Sequence, residues 1–174
     1  MRDKDQITAV LTNYATGIDQ RDWTLFRSCF TEDCQCDYSE MGAWRDRESI
    51  TRYMIHAHSG PSLHRLSNAS IHIEGDSANS RVYVDALVTG PKGIGGAQTL
   101  GYYEDTWQRR DEGWKISARR FVPVRLKFLG LLGLIPSFLA LPIAALASRR
   151  VNAALNTKNQ NTKNQNAKNQ NTNH

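Results

Sequence analysis

Two side chains far apart in the chain are of the types that move a proton together. One is Asp19, in Tyr14-Ala15-Thr16-Gly17-Ile18-Asp19; the other is His64, which opens His64-Arg65-Leu66-Ser67-Asn68. A carboxylate on one ring nitrogen fixes the histidine tautomer and favours the imidazolium. The other nitrogen is then a general base with an unperturbed pKa of roughly 6.5. Each residue also has a plainer reading. Asp19 could cap the turn ahead of Asp22-Trp23, and His64 could be an ordinary strand-edge residue.

The elements around them decide whether the two can meet. Ile7, Val10, Leu11, Tyr14 and Ile18 recur at helical spacing, so residues 3–18 form a helix that stops near Asp19. Asp22 caps a short second helix carrying Trp23, Phe26 and Phe30. Residues 33–39 alternate as a short strand, and 47–58 form a third helix ended by Ser59-Gly60-Pro61. From His64 the period changes to two. Strands are predicted near 64–74, 79–89, 97–110 and 113–125, separated by glycine turns. Strands this long twist and curve around a cavity. Helices first and a mainly antiparallel sheet second make an α+β plan, with the helices on one face.

Charge and composition narrow the function. Residues 1–127 hold 17 Lys and Arg against 17 Asp and Glu. The whole +5 excess lies in Arg149, Arg150, Lys158, Lys163 and Lys168, so the domain is not a basic nucleic-acid binder. Cys29, Cys34 and Cys36 are odd in number, with no apolar leader ahead of them, which predicts a reduced, cytoplasmic setting. Cys34-x-Cys36 with His56-x-His58 fits no common zinc module, and no nucleotide or flavin motif is present; no metal or cofactor is expected. His56 and His58 are placed at the end of the third helix, where positive charge suits the dipole.

Residues 128–147 carry no charge, and Arg125, Lys127, Arg149 and Arg150 flank them. Twenty residues of helix would span roughly 30 Å, the thickness of a bilayer core. The segment 128–150 thus reads either as a membrane anchor or as an apolar arm packed on the domain or on a second subunit. Residues 151–174 repeat Asn-Thr-Lys-Asn-Gln with almost no apolar side chain, a composition that predicts disorder.

Several short patterns then resemble the SnoaL-like branch of the nuclear transport factor 2 fold over about residues 3–125. They are Tyr14-x4-Asp19, Asp22-Trp23, Cys29-Phe30-Thr31-Glu32-Asp33, His64-x3-Asn68-x2-Ile71, Gly75-Asp76-x-Ala78, Tyr103-Glu104-Asp105-x-Trp107 and Gly113-Trp114-Lys115-Ile116. That group includes scytalone dehydratase, bile-acid 7α-dehydratase, hexachlorocyclohexane dehydrochlorinase and polyketide cyclases. The resemblance implies a cone-shaped α+β barrel with a pocket between helices and sheet, and a homo-oligomer paired through the convex face. It implies His64 as base, Asp19 as its orienting partner, and Tyr14 facing the pocket. It also implies a last-strand arginine, which falls on Arg119. Arg119 and Arg120 alternate, so only one faces inward, and Arg119 is taken. No counterpart to the second histidine of scytalone dehydratase is evident. Tyr38, Tyr53, Tyr102, Tyr103 and Trp44 could line a pocket for a steroid, polyketide or terpenoid. The expected activity is a cofactor-independent lyase or isomerase. The alternative is a non-catalytic binding or assembly module of the same fold, tethered through 128–147.

Overall fold

A computed structural model describes residues 2–130, 134 and 137–171. Helix α1 (Asp3–Gln20) buries Ile7, Leu11, Tyr14 and Ile18 along one stripe, and Arg21 ends it in the left-handed conformation at φ 62°. Gly17 lets α1 meet α2 (Trp23–Ser28): a Cβ there would lie 2.8 Å from the Phe26 backbone nitrogen. Asp22 caps α2 as predicted, its Oδ1 accepting from the Leu25 N–H at 2.9 Å.

Strand β1 (Phe30–Asp37) starts three residues earlier than the alternation predicts, because Phe30 and Thr31 are already buried in the sheet. β2 (Ala43–Trp44) pairs with it antiparallel. Helix α3 (Arg47–Ala57) starts at Asp46, whose carboxylate accepts from the Ser49 N–H at 2.7 Å and the Ser49 hydroxyl at 2.6 Å. Asp46→Ala is expected to lower unfolding free energy by about 1 kcal/mol, read from chemical denaturation.

The long strands are β3 (Ser62–Glu74), β4 (Ser77–Thr89), β5 (Gly96–Arg110) and β6 (Gly113–Leu129). The sheet order is β2-β1-β6-β5-β4-β3, with β1 parallel to β6 and every other pair antiparallel. β2 and β3 remain edges, so the expected barrel is an open, curved sheet. The core lies between its concave face and the helices. Val82, Val84 and Ala86 of β4, and Tyr103 and Trp107 of β5, alternate into it.

The C-terminal region departs from expectation twice. The apolar run 128–147 is not one helix: Phe128 and Leu129 continue β6, and α4 (Ser137–Asn171) begins only at Ser137. Residues 131–133, 135 and 136 of that run lie outside the described residues. Among the described residues no helix is long and apolar enough to cross a membrane. The start of α4 instead packs on the domain, burying Ala140, Ala145 and Ser148. The repeat segment, expected to be disordered, is helical through Asn171, while 172–174 lie outside the described residues. A helix already nucleated on the domain gains one hydrogen bond per added residue without a new nucleus. Thr157 and Thr162 hydroxyls add bonds to carbonyls four residues back, each 3.0 Å.

Candidate active site

Asp19 and His64 do meet. Asp19 sits in the last turn of α1, where the Arg21 cap turns the chain away and leaves the carboxylate facing the start of β3. Asp19 Oδ1 lies 2.7 Å from His64 Nδ1 and accepts from the Ser62 hydroxyl at 2.9 Å. Asp19 Oδ2 accepts from the His64 backbone N–H at 2.7 Å. One carboxylate thus holds both the ring and the strand that carries it. Arg21 braces the corner by donating to the Ile18 and Asp19 carbonyls at 2.7 and 2.9 Å, and to Ser62 Oγ at 3.0 Å. Partial burial pushes the Asp19 pKa up, but the bonds from His64 and Ser62 outweigh it and hold the group below the ordinary carboxylate value. The Asp19 carboxylate accepts, so Nδ1 carries the proton and Nε2 the lone pair. The His64 side chain is only 4% exposed.

His64 borders a cavity of about 340 Å³ between the helices and the sheet. Its walls are mainly apolar, with Met54, Val88, Phe121 and Leu126 among them. Tyr14, Tyr38, Tyr53 and Tyr103 line it. The Tyr14 hydroxyl lies 3.1 Å from that of Tyr38 and donates to that of Tyr103 at 3.3 Å. Burial raises the pKa of all three well above the ordinary phenol value, so they are neutral hydrogen-bonding groups. Tyr53 instead bonds Ser148 of α4 at 2.7 Å, and Asn152 donates to the Met41 carbonyl at 3.4 Å. Ala144, Ala147, Ser148 and Val151 of α4 form one wall.

Two expected lining residues are elsewhere. Tyr102 alternates onto the outer face beneath Arg81, whose guanidinium carbon is 4.6 Å from the ring centre. Trp44 lies behind the wall, packed 4.4 Å from Tyr53 centre to centre. Arg119 points inward and Arg120 outward, but Arg119 does not line the cavity. It forms a doubly hydrogen-bonded ion pair with Asp105, both contacts 2.7 Å and both side chains fully buried. Its guanidinium carbon sits 4.1 Å from the ring centres of both Tyr14 and Tyr103. The arginine therefore stands behind the tyrosines, not at the reacting space. Burial alone would lower its pKa; the Asp105 charge more than offsets this and keeps it protonated.

His58 is a site residue that the pattern does not single out. It ends the third helix, where the pattern places it, but it is 8% exposed and lines the same cavity. Its ring centre is 5.4 Å from that of His64. Burial, reinforced by the like charge of His64, pushes its pKa down to about 3. The exposed His72 pairs with Glu74 at 3.0 Å, far from the site.

Helices covering the concave face of an open curved sheet, with an apolar cavity between the two, define a nuclear transport factor 2-like protein. The chain belongs to the SnoaL-like domain family, whose model matches residues 1–120. Uncharacterised proteins of Mycobacterium tuberculosis and Mycobacterium bovis are 30% identical over 125 residues, covering 67% of this chain and 82% of theirs. A crystal structure from Novosphingobium aromaticivorans, named for a proposed aromatic ring hydroxylase, superposes with a TM-score of 0.67 at 25% identity over 73% of this chain and 93% of its own. A proposed scytalone dehydratase from the same organism gives 0.67 at 20% identity, over 77% and 89%. A hexachlorocyclohexane dehydrochlorinase from Novosphingobium barchaimii gives 0.64 at 18% identity, over 76% and 94%. At those last two identities the likeness concerns the fold.

Proposed function

We propose that the protein is a cofactor-independent lyase or isomerase acting on an apolar small molecule, with His64 as the general base. The observation that carries this is the 2.7 Å Asp19–His64 contact at the edge of a mainly apolar cavity. His64 Nε2 takes a proton from a carbon next to a carbonyl, and the C–H electron pair moves onto the carbonyl oxygen. Asp19 steadies the resulting imidazolium. Tyr14 gives its O–H to Tyr103, which leaves the Tyr103 hydroxyl free to donate to the developing oxyanion. Arg119 acts through the two rings it touches and is a positioning residue. From the enolate, the imidazolium proton leaves with a β-hydroxide as water, or returns at another carbon. The first outcome is dehydration and the second isomerisation. A cavity of about 340 Å³ fits a two- or three-ring skeleton.

Proton abstraction can be read without knowing the natural substrate. The wild-type protein is expected to accelerate loss of deuterium from 2-tetralone labelled beside its carbonyl, followed by NMR in water. His64→Ala should lower that rate by about 10²–10⁴-fold while the fold is retained. Unchanged exchange in His64→Ala would leave a binding module of this fold as the better account.

A further inference from the structure

His58 brings a polar atom to the cavity that the proposed reaction does not use. It caps α3, and two of its groups converge on one acceptor: its backbone N–H and its ring Nδ1 each lie 3.0 Å from the Met54 carbonyl oxygen. A carbonyl only accepts, so Nδ1 must carry the hydrogen. The other ring nitrogen, Nε2, is therefore a lone-pair acceptor. It is buried and has no partner. Buried polar atoms are paired in the great majority of proteins, so an orphan in a cavity wall points to a group that arrives with a ligand.

The character of that group follows from the ring. A fixed Nδ1–H tautomer cannot donate from Nε2, and burial opposes protonation of the ring. A carbonyl, ether or halogen would meet lone pair with lone pair. An anionic ligand would meet the same lone pair in an apolar enclosure. An uncharged hydroxyl satisfies Nε2 and keeps the rest of the molecule on the apolar walls.

We infer that His58 is a specificity-determining residue that accepts a hydrogen bond from a hydroxyl of the ligand, so the occupant is an uncharged, apolar alcohol. The inference rests on reading this cavity as the ligand site, and it narrows the substrate class to molecules with an alcohol beside the reacting carbonyl system. His58 and His64 then divide the work: His64 Nε2 meets the acidic C–H, and His58 Nε2 meets the O–H on the neighbouring wall.

The test uses 2-decalol and its methyl ether, which match in skeleton and differ in the ability to donate. An aliphatic alcohol also avoids mimicking an enolate at the tyrosines. With the full chain, calorimetry should show 2-decalol binding about tenfold more tightly than the ether. His58→Phe, which keeps the ring volume, should abolish that preference while retaining ether binding. A second readout needs no variant. The ¹⁵N resonance of His58 Nε2 should move upfield on adding 2-decalol and stay in place with the ether. Equal affinities, no binding of either compound, a preference that survives in His58→Phe, or an unmoved Nε2 resonance would each overturn the inference. None of these readouts needs turnover, so they are separate from the tetralone result. Exchange independent of His64 with an intact alcohol preference would remove the base and keep His58.

Discussion

Asp105→Asn is expected to lower the unfolding free energy by about 3–5 kcal/mol, the cost of leaving a buried charge without its counterion. The Arg119–Asp105 pair is fully buried, so no solvent screens the loss. Arg119 Nη1 already lacks a partner, and Nε and Nη2 would keep only a neutral amide. The Tyr14 and Tyr103 faces offer the cation some attraction, about 2 kcal/mol when desolvated, which softens the loss without replacing an anion. Urea denaturation of the full chain measures this directly. The double variant Asp105→Leu with Arg119→Met is expected to lose less than Asp105→Asn alone, because removing both charges leaves neither stranded. If Asp105→Asn costs under 1 kcal/mol, the guanidinium is stabilised by the rings and not by the carboxylate.

Acid sensitivity should be set largely by His58. In the unfolded chain its ring titrates near the ordinary value of about 6.5; in the fold it stays neutral down to about 3. Between those values the unfolded state binds the extra proton, so stability rises with pH across this window and is complete above it. The slope contributed is about 1.4 kcal/mol per pH unit. Burial and the charges of His64 and Arg21 oppose protonation, while the Met54 carbonyl and Asp19 favour it. His58→Phe removes the titrating group, so its stability should be nearly flat between pH 6.5 and 4.5 where the wild type declines. Asp19 acts with the same sign at lower pH. Its lowered pKa stabilises the fold above the ordinary carboxylate value and loses that contribution as pH falls through the folded value. A wild-type melting temperature unchanged from pH 7 to 4.5 would show that His58 is hydrated and not enclosed.

The parts of this site that local pattern controls were legible, and those that depend on how elements close over one another were not. Asp19 and His64 lie at the ends of elements with clear periods, but that α1 and β3 bring them together is what the resemblance to the SnoaL-like branch implies, not something spacing alone carries. Alternation says that one of Arg119 and Arg120 turns inward, and the resemblance points to Arg119; the alternation itself is broken between them and the strand's start. A bulge at Ser117 resets the alternation, so Ile116 and Arg119 are both buried despite opposite parity. The partner of Arg119 leaves a trace in the pattern: Asp105 shares a strand face with Tyr103 and Trp107, and an acid on a buried face needs a cation. His58 gave no such signal. It shares its cavity with Val88 of β4 and Phe128 of β6, and a helix-end histidine in sequence carries no trace of walls so distant along the chain. The apolar stretch 128–147 has the composition of a membrane span and of a packed arm alike. The strand that takes up Phe128 and Leu129 separates the two readings.

The wall that α4 gives the cavity has a thermodynamic corollary. Whatever free energy the docked helix adds to holding an occupant, the occupant returns to holding the helix, because the two equilibria are linked. The polar latches across this seam are the Tyr53–Ser148 and Asn152–Met41 bonds. A molecule held in the cavity therefore also strengthens the docking of α4 at Ser148, well away from the atoms that react.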